Sequence, residues 1–334
     1  MKSKVSIYDI AKQLNVSAST VSRALNNSNS ISTKMKDAVL AKATEMGYRT
    51  GFSPQSKGNI IAVVVPEINN YFYSQVLEAI QVGIKDKYLL SIFCSFNSVE
   101  IERLIISNLD PSKISCLVLS KSMDAEDSSY LKEVEKKGIP IIMFNRVDYN
   151  YECPKFVIDD YMDSYVLTSH LITSNYRRIA FAAKHYNCPI YKERIRAYKD
   201  VLDKNNIMFN PDYLIYSELT NEDIHEVIQL FFNRNPRPDA LILPGFMAAL
   251  QATSIAKVNN ISIPNDLGIV SFDADPECIY SYPSITGIER PLKEIGTEIA
   301  ELILTICNKK PYLKNAVRVF KSHLIVRGSS LKKI

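Results

Sequence analysis

The sequence predicts an α/β protein with a small three-helix head at its amino terminus and a larger body built on parallel sheets. Helical spacing of apolar residues dominates the first 58 residues, a polar stretch broken by Pro and Gly follows, and short apolar runs then recur between helical segments. We therefore expect a head over residues 1–52, a short hinge over 53–59 and a two-lobed body over 60–334.

The head begins with two short helices joined by a tight turn. Apolar residues recur at helical spacing from Ile7 to Leu14, and Asn15 occupies the turn, where Asn tolerates the left-handed backbone conformation. A third helix is expected to begin at the cap Ser32 and to run to Met46, before Gly47 ends it.

The second helix carries two contrasting faces. If Ser17 caps this helix, its apolar face consists of Val21, Ala24 and Leu25. The other face is small, polar and cationic, and consists of Ser19, Ser22, Arg23 and Asn26. Because such a face suits the DNA major groove, the head is predicted to be a helix-turn-helix DNA-binding domain. An ordinary helical bundle with a solvated polar face is the alternative.

The distribution of charge favours DNA as the partner of the head. Residues 1–58 contain nine Lys or Arg and three Asp or Glu, a net charge of 9 − 3 = +6, whereas the whole chain carries +4 and the remainder therefore 4 − 6 = −2. A basic terminal module on a near-neutral body is typical of a protein that binds phosphates with one end. The expected DNA contacts are Ser6, Ser17, Ala18, Ser19, Thr20, Ser22, Arg23, Asn26 and Ser32.

The body is predicted to form two α/β lobes, because the 334 − 58 = 276 residues after the head are too many for one small core. The apolar runs that predict strands are 60–65, 116–119, 139–144, 179–183, 240–243 and 268–272. Helical patterns between them include 71–87, 160–173 and 191–205. Apolar strands that alternate with helices indicate repeated βαβ units and hence parallel sheets buried on both faces.

Several classes of protein are disfavoured by the composition and motifs. No apolar run approaches the roughly 18 residues of a membrane span and the amino terminus is polar, so we expect a cytoplasmic protein without a membrane partner. The six cysteines are scattered, which indicates reduced packing residues and neither a disulfide framework nor a metal site.

An enzyme and a secreted binding protein are the rival classes. The sequence shows no H-E-x-x-H, no G-x-S-x-G and no Walker loop, so we expect no enzyme activity, no catalytic residues and no cofactor. The four histidines are isolated in the sequence and are expected at the surface or in packing: His170, His185, His225 and His323. The basic head and the absence of a signal peptide disfavour a secreted protein.

Short blocks along nearly the whole chain resemble the lactose-repressor/galactose-repressor (LacI/GalR) family of bacterial transcription regulators. These blocks are residues 7–11, 16–17, 20–23 and 47–49 in the head, and 61–66, 170–172, 177–181, 263–264, 271–273, 283–286 and 324–329 in the body. Each block is weak alone, but their order and spacing make the match specific. The resemblance implies two Rossmann-like lobes similar to periplasmic sugar-binding proteins, an effector in the cleft, and a homodimer that pairs two heads on a near-palindromic operator.

The hinge departs from the family pattern. In the family a helical hinge wedges a Leu into the minor groove, but here the stretch between Tyr48 and Ile61 is about one helical turn shorter and contains no Leu. Gly51, Pro54 and Gly58 also disfavour a helix, and Phe52 is the available substitute for the wedge. We therefore expect this protein to bend its operator less than relatives with the full hinge.

The resemblance also implies which residues contact the effector. The positions that match the family are Tyr71, Phe72, Arg194 and Asp273, and two further candidates replace family residues: Asn145, where Asp is frequent, and Phe246, within a Pro-Gly-Phe that replaces an Asn-Asp pair. Asp accepts from hydroxyl groups and Arg donates a planar fork, so a small polar effector is expected.

Several alternatives remain open at the cleft. A sugar is the first choice of effector, and a nucleobase or a less hydroxylated metabolite is the second. In a purely structural arrangement, Arg194 and Asp273 would pair with each other, and Tyr71 and Phe72 would pack the lobes. The expected function is a DNA-binding regulator, with repression favoured over activation. The sequence leaves open whether the effector strengthens or weakens operator binding, and a small-molecule-binding protein without operator control is the remaining alternative.

Overall fold

The computed structural model describes residues 5–25, 28, 30–46, 58–123, 127–184, 188–217 and 221–332. The chain divides into two compact units, one of residues 1–60 with 110–115 and one of residues 61–109 with 116–334. The described part contains eleven α-helices and twelve β-strands. No helix in these ranges combines the length and hydrophobicity of a membrane span.

The head consists of three helices, α1 (Ile7–Leu14), α2 (Ala18–Leu25) and α3 (Thr33–Glu45). They enclose a small core of Ile10, Ala11, Val21, Ala24, Leu25, Val39 and Ala43. Asn15 ends α1 with φ 52° and ψ 44°, the left-handed conformation expected for the turn. The predicted three-helix head and the inward face of its second helix are confirmed. The predicted hinge lies almost entirely outside the described residues.

In chain order, the strands are β1 (Ile60–Val65), β2 (Leu89–Cys94), β3 (Ile114–Leu119), β4 (Ile141–Phe144), β5 (Lys155–Ile158), β6 (Ile179–Ala183), β7 (Leu214–Tyr216), β8 (Ala240–Leu243), β9 (Gly268–Ser271), β10 (Thr286–Glu289), β11 (Val317–Phe320) and β12 (His323–Ile325). The helices of the body are α4 (Tyr71–Ile84), α5 (Val99–Ser107), α6 (Lys132–Lys136), α7 (Asp160–Thr173), α8 (Pro189–Lys204), α9 (Asn221–Phe232), α10 (Phe246–Val258) and α11 (Leu292–Cys307).

The strands form two six-stranded sheets, one in each lobe. The first lobe has the order β11-β5-β4-β3-β1-β2, and the second has the order β12-β10-β9-β8-β6-β7. Neighbours in both sheets run parallel, for example β3 with β4 and β8 with β9, while β12 runs antiparallel to β10. Each of the six predicted apolar runs forms a strand, and β1, β6 and β8 have the predicted bounds. The predicted two-lobed parallel α/β body is confirmed.

Close helix packing supports the first lobe. Its core combines β1, β3 and β4 with the apolar faces of α4 and α11. The two helices approach so closely that a Cβ at Gly296 would lie 2.5 Å from the Cβ of Ala79 and 2.6 Å from the carbonyl oxygen of Val76. Only a residue without a side chain fits there.

Three connections join the lobes, since α7 and β12 belong to the second lobe and α11 to the first. The chain crosses after β5, after β10 and after β11. The carboxyl ends of the parallel strands in both sheets therefore lie at the same crevice. Open α/β sheets bind their ligands at that end of the strands.

Candidate functional site

A cavity of about 340 Å³ lies between the two lobes and brings together most of the predicted effector residues. Phe72 and Asn145 line it from the first lobe, and Arg194 and Asp273 line it from the second. Tyr71 lines an adjoining pocket of about 500 Å³ that shares Phe72 and Asp273 with the cavity. Five of the six predicted residues thus lie at one crevice, although they are far apart in sequence.

Phe246 is the sixth residue, and the structure places it elsewhere. Its ring packs against the core of the second lobe, whereas the next residue, Met247, is 54% exposed and lines the cavity. Both residues lie in the first turn of α10, which begins directly after Gly245. Successive helical side chains point about 100° apart, so only one of two neighbours faces the crevice. Met247, and not Phe246, therefore belongs to the candidate site.

Arg194 is held by a carboxylate of its own lobe. Its Nε and Nη2 donate to Oδ1 of Asp160 at 2.9 and 2.7 Å, and its guanidinium lies 4.0 Å from the ring centroid of Phe272. Burial opposes the charge of Arg194, but Asp160 and Tyr191 outweigh it and raise the pKa of the guanidinium. The structural alternative in which Arg194 pairs with Asp273 is therefore wrong.

Asp273 instead accepts a hydrogen bond from Arg290, whose Nη1 lies 2.9 Å from Oδ1. Arg290 follows β10 directly, at the second crossing between the lobes, and lines both the cavity and the adjoining pocket. Sequence reasoning missed this residue because the short run 286–289 was not recognised as a strand. Had that strand been recognised, the position of Arg290 at its carboxyl end would have pointed to the crevice.

The first lobe supplies a hydrogen-bonded polar edge to the cavity. Asn145 has a left-handed φ of 59°, and its Nδ2 donates to the hydroxyl of Tyr73 at 3.0 Å. Burial raises the pKa of Tyr73, so this phenol stays protonated. Arg146 also lines the cavity and donates from Nη1 to Oδ1 of Asn97 at 2.9 Å. Arg146 is a second cation that sequence reasoning missed.

In the head, α2 presents the predicted polar face. Ser17 caps the helix, because its Oγ accepts from the backbone N–H of Thr20 at 3.0 Å. Ser19 and Arg23 are exposed, while Ala18, Thr20 and Ser22 are half-buried. Asn26 lies outside the described residues.

The other two predicted DNA contacts lie at helix starts. The N–H and hydroxyl of Ser6 donate to the carboxylate of Asp9 at 2.8 and 2.7 Å, and these bonds lower the pKa of Asp9. Ser32 is exposed and precedes α3, and its backbone carbonyl accepts hydrogen bonds from the N–H groups of Met35 and Lys36. Sequence reasoning did not select Tyr8, on α1, although its side chain is 71% exposed.

The remaining titratable candidates serve in packing or lie at the surface. His170 contacts Oγ of Ser330 through Nε2 at 2.7 Å, His225 and His323 are exposed, and His185 lies outside the described residues. Within the described ranges, no three His, Cys, Asp or Glu residues are grouped as metal ligands.

A helix-turn-helix head and a body with a polar crevice between two lobes define a DNA-binding regulator with a domain for a small effector. Comparison with known proteins identifies its family. Residues 6–51 match "Bacterial regulatory proteins, lacI family", and residues 168–330 match "Periplasmic binding protein-like domain".

Relatives and solved structures agree with these matches over most of the chain. The HTH-type transcriptional repressor CytR of Escherichia coli (strain K12) is 28% identical over 331 residues, which cover 96% of this chain and 95% of CytR. The lac repressor dimer bound to operator and the anti-inducer ONPF superposes with a TM-score of 0.76 at 19% identity, over 98% of this chain and 100% of that one. The transcriptional regulator CelR–cellobiose complex has a TM-score of 0.72 at 21% identity, over 97% and 99%.

The chain belongs to the lacI family of bacterial regulatory proteins and is a DNA-binding transcriptional regulator. Its relatives are regulators and not enzymes.

Proposed function

We propose that this regulator is a homodimeric repressor whose affinity for a near-palindromic operator is controlled by a small polar effector in the crevice, with a sugar as the favoured class. The observation that carries the proposal is the convergence of Phe72, Asn145, Arg194 and Asp273 on one cavity. An aromatic face with fixed donors and acceptors suits a ligand that has both hydroxyl groups and an apolar side.

The polar anchors are positioned before any ligand binds. Arg194 is fixed by Asp160, and Asp273 is fixed by Arg290, so each anchor keeps its orientation without help from the effector. Preorganised donors and acceptors bind a ligand with a smaller loss of conformational entropy. The complex of CelR with cellobiose supports a sugar as the first class to test.

A nucleobase or a less hydroxylated metabolite is the second candidate class. The cavity is lined by Phe72 and Tyr191, and Met247 adds an apolar side chain directly after the Pro-Gly-Phe that replaces the family's Asn-Asp pair. Such a lining favours a flatter ligand with fewer hydroxyl groups.

The homodimer is supported by large apolar side chains on the surface of the second lobe. Leu250 and Val258 on α10 are exposed, and so are Ile279, Tyr280 and Tyr282 in the segment before β10. Cys278 of that segment packs in the same core as α10, so the two exposed groups belong to neighbouring elements. Exposed apolar side chains on neighbouring elements are typical of a protein interface, and a second copy would pair two heads on one operator.

The test couples ligand binding to operator binding. A thermal-shift screen of sugars, sugar phosphates and nucleobases identifies compounds that stabilise the folded chain by mass action. Each stabilising compound is then added to the protein on a fluorescent operator duplex. The proposal requires that at least one such compound changes operator affinity, and that the change is lost in Asp273→Ala.

A further inference from the structure

The first turn of α7 carries two carboxylates, and each stands beside an arginine of the crevice. Asp160 and Asp163 lie three positions apart, so they share one side of the helix. Asp160 accepts from Arg194 directly. Oδ2 of Asp163 lies 3.8 Å from Nε of Arg290. Arg290 in turn donates from Nη1 to Asp273 at 2.9 Å.

Asp273, Arg290 and Asp163 form a chain of charges that leads from the crevice into the interior. Side-chain exposure falls along it from 23% at Asp273 to 10% at Arg290 and 4% at Asp163. Asp273 and Arg290 line the cavity, but Asp163 does not. Any influence of Asp163 on a ligand in the cavity therefore passes through Arg290.

Few interactions hold the guanidinium of Arg290. Its Nη1 is bound to Asp273, whereas Nε and Nη2 are buried and have no hydrogen-bond partner among the described residues. The ring of Phe72 lies 5.9 Å from the guanidinium and accepts no hydrogen bond from Nε or Nη2. The carboxylate of Asp163 therefore supplies the charge that attracts the Nε side of Arg290, and burial strengthens this attraction relative to water.

Asp163 is itself held by two elements of the hinge between the lobes. It lies on α7, which follows the first crossing, and its Oδ2 accepts from Oγ of Ser322 at the third crossing, at 3.2 Å. Arg290 lies at the second crossing. Asp163 is thus a fixed negative charge against which the position of Arg290 is set.

We infer that Asp163 is a positioning residue of the effector site: its carboxylate holds Arg290, and Arg290 holds Asp273 in the orientation that accepts from a ligand. The inference rests on the proposed effector crevice. It makes the first turn of α7 the support of both polar anchors, since Asp160 on the same turn orients Arg194. An anchor that is held before binding loses less conformational entropy when the ligand arrives. Removing the charge of Asp163 should therefore weaken binding, although no contact with the ligand is lost.

The first test needs no ligand, because it measures the side chain of Arg290 directly. Full-length protein labelled with ¹⁵N-arginine gives an Nε–H resonance for Arg290, which is assigned by its disappearance in Arg290→Lys. In Asp163→Asn, ¹⁵N relaxation of this resonance should report a lower order parameter, because the charge that holds Nε is gone. Asp212→Asn is the matched control, since it makes the same change at an exposed carboxylate 3.7 Å from Arg234. It should leave the motion of Arg290 unchanged.

The second test separates affinity from stability. Each sugar, sugar phosphate or nucleobase that stabilises the protein in the thermal-shift screen is titrated by calorimetry into the unmodified protein, Asp163→Asn, Arg290→Gln and the double variant. The titrations are made at pH 7, above the pKa of Asp163, which burial raises to about 6. Asp163→Asn should bind about three- to tenfold more weakly, because Asp273 is less well oriented. Its free energy of unfolding should not fall, because Asn removes a charge whose burial opposes folding.

The double variant tests the route through Arg290. If Asp163 acts on the ligand only by holding Arg290, adding Asp163→Asn to Arg290→Gln should weaken binding no further. Independent effects would instead add in the double variant.

Three results would overturn the inference. The first is a side chain of Arg290 that is as rigid in Asp163→Asn as in the unmodified protein. The second is an affinity that is unchanged in Asp163→Asn, or losses that add in the double variant. The third is a parallel loss of stability and affinity in Asp163→Asn, which would make Asp163 a purely structural residue. If no screened compound changes operator affinity, the proposed function fails, whereas the relaxation of Arg290 still decides whether Asp163 holds it.

Discussion

Asp160 fixes the guanidinium of Arg194 by accepting two hydrogen bonds on a single oxygen, at 2.9 Å from Nε and 2.7 Å from Nη2. Asp160 is the first residue of α7, directly after the first crossing between the lobes, and Arg194 lies one turn into α8. The ring of Phe272 closes one side of the guanidinium. Arg194 therefore enters the crevice as a rigid donor whose orientation depends on Asp160.

The first prediction is that Asp160→Asn weakens effector binding, because Asp160 orients Arg194. Asn keeps an oxygen acceptor but removes the charge, so Arg194 should lose part of its orientation and affinity should fall several-fold. Arg194→Ala should cost about tenfold or more, because it leaves Asp160 and the ligand without their partner. Titration calorimetry with a ligand from the thermal-shift screen measures both effects. Asp200→Asn, an exposed change on the same helix, is the matched control, and equal affinity in all variants would remove Arg194 from the site.

Sequence reasoning located the strands that are continuous apolar runs and missed those that are short or contain a polar residue, including the fully buried β5, which begins at Lys155. Strands such as β1 and β8 are continuous apolar runs, since both their faces are covered. By contrast, β2 has only exposed and half-buried positions and β11 is exposed except at Phe320, at the two edges of the first sheet, and their sequences give no such run. Periodicity detects burial, so sheet edges escape it.

The candidate site, too, could be predicted only in part from the sequence. Asp273 and Arg194 could be found because each follows or opens a recognisable element. Their partners, Arg290 and Asp160, could not be assigned, because a pairing between residues 17 or 34 positions apart depends on how the crossings meet in space. The prediction chose Phe246, but its neighbour Met247 faces the crevice, because the rotation of α10 about its axis decides which of the two points there.

The second prediction concerns the DNA-binding face of α2. Arg23 is exposed on the polar face, opposite the buried Val21 and Ala24, so its guanidinium is free to reach a base edge. Arg23→Ala should cost about 1–3 kcal/mol on the preferred operator and flatten discrimination at one base pair. Binding to a library of single-base operator variants measures this. Lys12→Ala, on the exposed side of α1, is the control, and an equal loss on random DNA would make Arg23 a phosphate contact.

The third prediction tests the second-lobe surface as the dimer interface. Tyr280 and Tyr282 are 81% and 97% exposed in the isolated chain, and a second copy would bury them. Replacing both with Ser should weaken self-association by about tenfold or more, because large aromatic side chains dominate interface energetics. Sedimentation velocity over a concentration series reports the change. Met208→Ser is the control, since Met208 is 92% exposed elsewhere on the same lobe, and an unaltered association constant in the double variant would place the interface on another surface.

The fourth prediction follows from Asp163, a residue at which two of the three crossings meet. The carboxylate of Asp163 is buried on α7, beside Arg290 of the second crossing and Ser322 of the third. Burial raises the pKa of Asp163 to about 6, against the weaker opposing effect of Arg290. The folded protein therefore holds this proton more tightly than the unfolded chain does.

That difference makes stability depend on pH in a defined direction. Because the pKa is higher in the folded state, the contribution of Asp163 is fully present below its ordinary pKa of 3.8 and is lost as the pH rises through about 6. A shift of about two units corresponds to roughly 3 kcal/mol. Asp163→Asn cannot titrate, so the free energy of unfolding of this variant, minus that of the unmodified protein, should increase by up to that amount between pH 4 and about pH 7.

Urea unfolding at a series of pH values measures that difference directly. Asn retains an acceptor for Ser322 and similar volume, so the variant should keep the packing around the crossings. Asp212→Asn, at an exposed carboxylate of the same lobe, should show no comparable change. A difference between Asp163→Asn and the unmodified protein that stays constant from pH 4 to pH 7 would show that Asp163 is ionised throughout. Arg290 would then stabilise the charge of Asp163 more strongly than burial opposes it.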